Sequence, residues 1–126
     1  MDLASESSKG IEKIGSTLKG IGPTYMDKTG RNGLRMGDLF KPNFRELYDK
    51  LKDKHLSLAK QFGKVEYDLA TEEEKWFQCV ETIKELEQID CEYYINNAIE
   101  SGKKVLAEGA QGSLLDIDHG TYPYVT

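Results

Sequence analysis

The chain has 126 residues, a formal net charge of −5, 38% hydrophobic residues and 31% charged residues. This is the composition of a folded globular chain rather than a disordered one. No apolar run approaches the length of a membrane span and the N-terminus lacks the apolar segment of a secretory signal, so neither a membrane partner nor export is expected. Cys79 and Cys91 form no CxxC or metal-ligand pattern, which indicates free thiols in a reducing compartment and predicts a cytoplasmic protein.

Charge is distributed unevenly along the chain. Residues 1–64 carry 13 Lys and Arg against 8 Asp and Glu, whereas residues 65–126 carry 4 against 14. A basic half favours an anionic partner. Its cations form no stripe with stacking aromatic residues, so nucleic acid is not expected. The acidic run at 72–92 is typical of a solvated helix face.

The first of three predicted segments, residues 1–40, contains a glycine-punctuated loop at 10–22. Gly10 and Gly15 have the spacing of a phosphate-binding loop, but Ser16 stands where that motif requires lysine. Glycine lets backbone N–H groups approach an anion closely. The alternative is a turn that caps the next helix.

Short helices are predicted on either side of this loop, over residues 2–9 and from Pro23 to near Gly30, with Pro23 at the first helical position. Arg31 then lies between Gly30 and Gly33 on a predicted exposed bend. A guanidinium there could bind a phosphate through two hydrogen bonds. The alternative is a solvated loop arginine.

The second segment, residues 41–101, is predicted to be a helical subdomain. Pro42 opens the clearest helix, whose apolar residues recur at three-and-four spacing up to a C-terminal cap at Gly63. Thr71 begins a second helix with a capping box and an acidic first turn. The apolar pattern that follows is long for one globular helix, so we expect a break near residues 88–90.

Two features of the helical segment favour packing over chemistry. His55 lies on the apolar face of its helix and is expected to be a packed or partly exposed histidine. Aromatic residues form a stripe that is expected in the core rather than around a cofactor: Trp76, Phe77, Tyr93 and Tyr94.

The third segment, residues 102–126, is predicted to be a strand followed by a polar, glycine-lined loop. The strand at 103–108 has no obvious partner strand in the sequence, which suggests a sheet supplied by a larger protein. Gln111 suits recognition of a purine edge or a phosphate because its amide both donates and accepts. Three further loop residues fit a metal site weakly and a cap or turn better: Asp116, Asp118 and His119.

Three stretches taken together resemble the adenylosuccinate synthetase family: 15–23 (GSTLKGIGP), 31–39 (RNGLRMGDL) and 108–126 (EGAQGSLLDIDHGTYPYVT). Their order and spacing agree with the family over essentially the whole chain. The resemblance implies a mainly α fragment with one or two short strands, excised from an α/β synthetase with a central sheet. The family's glycine-rich phosphate loop and its catalytic aspartate and histidine are absent, so the chain is expected to hold no catalytic residue and no metal ligand.

The family couples IMP and L-aspartate to adenylosuccinate and hydrolyses GTP, with Mg²⁺, through 6-phosphoryl-IMP. The resemblance implies that Thr17, Gln111 and Thr126 contact IMP. It also implies that Arg31 reaches the IMP phosphate of the neighbouring subunit in a homodimer. GTP and Mg²⁺ belong to the parent enzyme, and the 126 residues alone are expected to be inactive and to self-associate. The alternative is an independent helical interaction module without a small-molecule site.

Overall fold

The computed structural model describes residues 1–13, 15–63 and 67–126. Ile14, inside the predicted glycine loop, lies outside the described residues. The described chain divides into two compact units, Met1–Leu86 and Glu87–Thr126. In these ranges no helix is long and apolar enough to cross a membrane. Five α-helices are described: α1 (Asp2–Ser8), α2 (Ile21–Thr29), α3 (Phe44–Gln61), α4 (Leu69–Lys84) and α5 (Cys91–Glu100).

The first two helices confirm the predicted helices on either side of the glycine loop. Helix α2 begins two residues earlier than predicted, so that Pro23 is its third residue rather than its first. The missing N–H of Pro23 is tolerated there, because first-turn N–H groups have no partner within the helix. Gly20 is the N-cap with φ +78°, a conformation that glycine adopts without steric cost.

Helix α3 confirms the predicted amphipathic helix, beginning two residues after Pro42 and ending shortly before Gly63. Helix α4 begins earlier than predicted because Asp68 is its N-cap, and the Asp68 carboxylate accepts the backbone N–H of Thr71 at 3.1 Å. The prediction that Thr71 caps this helix is therefore wrong. An acidic residue does occupy the first turn, where it suits the positive end of the helix.

The core of the first unit lies where a 3₁₀ turn, Met36–Phe40, packs against α3 and α4. Tyr48 and Trp76 stack with ring centroids 4.8 Å apart, an arrangement worth about 0.5–1.5 kcal/mol beyond the area it buries. The predicted aromatic packing is confirmed for Trp76 and Phe77, but it is wrong for Tyr93 and Tyr94, which are 71% and 51% exposed. Six residues form this small core: Leu39, Phe44 and Val80, with Leu34, Phe77 and Ile83 packed against them.

The second unit contains α5 and an irregular C-terminal stretch. Residues 85–90 separate α4 from α5, which confirms the break predicted near 88–90. The mainly helical class is also confirmed, but no strand forms in the described ranges. The predicted strand at 103–108 is an unpaired stretch in which Leu106 is 92% exposed. An extended segment forms a strand only beside a neighbour that shares its hydrogen bonds, and the described residues provide none.

Candidate functional site

The loop between α1 and α2, which carries Thr17, is anchored to α1 by Glu6. Oε1 of Glu6 accepts the backbone N–H groups of Gly15 at 2.7 Å and Ser16 at 3.4 Å, and Oε2 pairs with Lys9 Nζ at 3.1 Å. The hydrogen bond from Gly15, followed by that from Lys9, lowers the pKa of Glu6 from 4.5 to about 2. Glu6 is therefore a carboxylate at any physiological pH.

A second carboxylate of α1 holds the other end of the same loop. The Asp2 side chain accepts the N–H of Gly20 at 2.9 Å. Between these anchors, the N–H of Leu18 donates to Ser16 Oγ at 3.2 Å, and Leu18 adopts a left-handed φ of +59°. Carboxylates thus occupy backbone donors that an anion-binding loop would use. The loop forms a turn and a helix cap, and it exposes the side chain of Thr17.

Arg31 occupies an unusual backbone position immediately after α2. Its N–H donates to the Lys28 carbonyl at 3.1 Å, and the N–H of Asn32 donates to the Asp27 carbonyl at 2.9 Å. This pair of hydrogen bonds closes a helix around a left-handed residue that is usually glycine. Here that residue is Arg31, with φ +58°, although Gly30 stands directly before it with φ −73°. A residue with a Cβ costs about 1–2 kcal/mol in this conformation.

A hydrogen-bonded cluster centred on the buried Asp27 lies beneath this turn. Asp27, only 5% exposed, pairs through Oδ1 with Lys54 and through Oδ2 with His55 Nε2 at 2.5 Å. Burial raises the pKa of Asp27, but the hydrogen bonds from Lys54 and His55 outweigh it and the net shift is downward. The sequence predicted a packed or partly exposed His55 and did not identify Asp27. A histidine on an apolar helix face favours a hydrogen-bonding partner, and Asp27 is that partner for Nε2.

A cavity of about 1010 Å³ opens beside this cluster, between α2, α3, α4 and the Met36–Phe40 turn. Its wall is mainly apolar and includes Leu51, Leu56 and Trp76. Thr17 and Arg31 do not line it. The predicted IMP contacts of the first unit, Thr17 and Arg31, lie elsewhere. This cavity is therefore an apolar gap between helices of the first unit rather than the predicted nucleotide site.

The carboxylate of Asp116 closes a turn in the C-terminal loop. Asp116 Oδ1 accepts the N–H groups of Asp118 at 2.9 Å and His119 at 2.8 Å, which confirms the turn interpretation for Asp116. In the part of the chain that the structure describes, no group of three or more His, Cys, Asp or Glu side chains could hold a metal ion. Cys79 and Cys91 are free, as predicted, and both are exposed.

The same loop folds back on itself and ends at Thr126. The N–H of Thr121 donates to the Leu114 carbonyl at 2.8 Å, and the N–H of Thr126 donates to the Leu115 carbonyl at 3.0 Å. Gln111 precedes this turn and is exposed, as is Thr126. Of the four predicted IMP contacts, Thr17 and Arg31 therefore lie in the first unit, and Gln111 and Thr126 lie in the second.

Comparison with known proteins identifies the family of this chain. The sequence matches adenylosuccinate synthetase over residues 1–126. The adenylosuccinate synthetases of Flavobacterium johnsoniae and Christiangramia forsetii are 56% and 59% identical over 127 residues, which is 100% of this chain and 30% of each relative. A structure of fully ligated adenylosuccinate synthetase from Plasmodium falciparum aligns with a TM-score of 0.75 and 39% identity, over 99% of this chain and 29% of that chain.

This chain thus spans 30% of the length of the curated relatives that it matches. The sequence match and the structural match identify the same family, and both cover essentially all of the described residues. The chain belongs to the adenylosuccinate synthetase family.

Proposed function

We propose that residues 1–126 supply part of the IMP site of an adenylosuccinate synthetase, the ligase of AMP biosynthesis that converts IMP, L-aspartate and GTP to adenylosuccinate, GDP and phosphate. The proposal rests mainly on the exposure and the backbone conformation of Arg31. An exposed guanidinium stands on a left-handed turn where glycine would be more stable. Strained backbone of this kind concentrates at binding sites, where the surrounding structure maintains it.

Each of the four residues has a role that its chemistry suits. Arg31 binds the phosphate of IMP through two charge-assisted hydrogen bonds. The hydroxyl groups of Thr17 and Thr126 donate or accept single hydrogen bonds, and the amide of Gln111 does both. The phosphate lies away from the purine carbon that reacts, so these contacts serve mainly to hold and orient IMP.

The proposal extends to the assembly and its surroundings. Arg31 contacts the IMP bound by the partner subunit of a homodimer, and Gln111 contacts the IMP of its own subunit. GTP, Mg²⁺ and L-aspartate bind mainly outside this stretch. The described residues contain no cluster of three or more His, Cys, Asp or Glu side chains that fits a metal ion. The exposed free thiols suit the reducing cytoplasm.

Subunit mixing in the full-length enzyme tests this function. Arg31→Ala and Gln111→Ala should each weaken IMP binding by roughly 10- to 100-fold, the value of a hydrogen bond to a charged group. Arg45→Ala, which removes another exposed arginine, is the control. The assay uses an IMP concentration too low to fill the site of either variant homodimer, so each alone has little activity. When the two homodimers exchange subunits at random, half of the dimers are mixed and each has one intact site. About a quarter of wild-type activity should return.

Other outcomes would contradict specific parts of the proposal. No recovery on mixing would place Arg31 and Gln111 in the same site of one subunit and remove the contact across the dimer. IMP binding that is unchanged by either substitution would favour the helical interaction module. The 126-residue chain alone should show no turnover with IMP, GTP, Mg²⁺ and L-aspartate.

A further inference from the structure

The turn that carries Arg31 is built around one residue, Asp27. The Asp27 carbonyl accepts the N–H groups of Asn32 at 2.9 Å and Gly33 at 3.1 Å. Gly33 also packs closely on it, since a Cβ at Gly33 would stand 3.3 Å from Asp27 Cβ. The two residues that follow Arg31 are therefore both fixed to Asp27, and the left-handed turn cannot open without breaking these contacts.

Asp27 is in turn fixed by α3. Lys54 binds one carboxylate oxygen and His55 binds the other, so neither oxygen relies on solvent. Because hydrogen bonds from these partners outweigh burial and leave the pKa of Asp27 lowered, the carboxylate remains charged at neutral pH. A buried charge is tolerated only while its partners are in place. The pairing thus ties the end of α2 to α3.

We propose that Asp27 is a positioning residue for Arg31: Lys54 and His55 hold Asp27, and Asp27 holds the turn from which Arg31 binds a phosphate. This inference rests on the proposed role of Arg31 in IMP binding. The left-handed conformation is unfavourable for a residue that carries a Cβ. The turn at Arg31 therefore requires stabilising contacts from elsewhere in the chain, which a turn built on glycine would not require. These contacts come from α3, where His55 lies 28 residues after Asp27 in the sequence.

The test is a pair of isosteric substitutions in the full-length enzyme. Asp27→Asn should raise the Kd and the KM for IMP by about three- to tenfold, less than the ~100-fold that a misplacement of a whole ångström produces. The kcat at saturating IMP should stay nearly constant, because the phosphate contact is equally strong in ground and transition states. Asp49→Asn is the matched control, since Asp49 pairs with Arg45 and Lys52 within α3. It should leave IMP affinity unchanged.

A double-mutant cycle separates positioning from general destabilisation. In the Arg31→Ala background, Asp27→Asn should change IMP affinity by less than about twofold, because the contact through which it acts is gone. If Arg31→Ala weakens IMP binding but Asp27→Asn has the same effect in both backgrounds, or none in either, the positioning role is wrong and the proposed function stands. If Arg31→Ala leaves IMP affinity unchanged, the proposed function itself fails, and the positioning role fails with it.

A second measurement covers the case in which Asp27→Asn does not fold. Lys54→Met removes one partner from the more exposed side of the cluster and should show the same dependence on Arg31 at smaller amplitude. In this variant the amides of Asn32 and Gly33 should exchange with solvent several-fold faster than in the wild type. Unchanged exchange at both amides would overturn the inference.

Discussion

The turns that carry the proposed IMP contacts are stabilised differently in the two units. In the first unit, side chains support the turns over longer distances in sequence. Glu6 binds the amide of Gly15 nine residues away, and Asp27, whose carbonyl closes the turn at Arg31, pairs with His55 across 28 residues. In the second unit, the turn ending at Thr126 is closed by local contacts, namely its own backbone hydrogen bonds and the carboxylate of Asp116. Its hydrogen bonds join residues between Leu114 and the end of the chain.

This difference determines which changes each region tolerates. A turn held by distant carboxylates depends on charge, so it should respond to pH and to isosteric removal of a charge. A turn held by its own backbone depends on how closely the chain approaches itself, so it should respond to added atoms. Substitutions chosen from each class therefore discriminate between the two mechanisms.

The largest effect is expected from Gly120→Ala in the second unit. A Cβ at Gly120 would collide with the carbonyl oxygens of Leu114 and Asp116 and stand 2.7 Å from the carbonyl carbon of Leu114. These are backbone atoms, so the turn itself must shift, at a cost of about 3 kcal/mol. We expect amide exchange across 114–126 to accelerate sharply. In the full-length enzyme, IMP affinity should fall with it.

Gly112→Ala is the matched control for that experiment. Gly112 has φ −74°, and a Cβ at this position would meet no atom within 4 Å. This substitution should leave amide exchange across the turn unchanged. Equal effects at the two glycines would show that close backbone approach does not determine the stability of the turn.

An intermediate effect is expected from acid at the first loop. The pKa of Glu6 is lowered from 4.5 to about 2, so its contribution to folding is complete above about pH 4.5 and is lost as the pH falls towards 2. In denaturant unfolding of the 126-residue chain, the wild type should therefore be more stable than Glu6→Gln at pH 6. The difference should vanish near pH 2. Glu12→Gln is the control, and a difference independent of pH would contradict the anchoring role of Glu6.

Local sequence patterns predicted the helices and their break but not the contacts between them. The three-and-four spacing after Pro42 is a property of one segment, and so α3 could be predicted from it. Asp68 and Thr71 are both good capping residues, and only the path of the preceding chain selects Asp68. The strand at 103–108 requires a partner strand, and a single segment cannot reveal whether one is present.

For the candidate site as well, local features could be predicted from the sequence and contacts between helices could not. The position of Arg31 between two glycines indicated an exposed bend, and the structure places it on one. Its left-handed conformation was not predictable, because Gly30 and Gly33 are the residues expected to adopt it. The pairing of Asp27 with His55 joins two helices, and residue type alone cannot identify such partners. The sequence predicted only that His55 is packed or partly exposed.

The smallest effect is a gain in stability. Arg31→Gly and Arg31→Ala both remove the guanidinium, but only glycine relieves the left-handed backbone at φ +58°. In denaturant unfolding, Arg31→Gly should be more stable than Arg31→Ala by about 1 kcal/mol. Both should lose IMP affinity equally in the full-length enzyme. Lys41 provides the control pair, since at φ −79° glycine should give no gain over alanine. If glycine is no more stable than alanine at Arg31, the arginine bears no strain there, and the turn needs no support from Asp27.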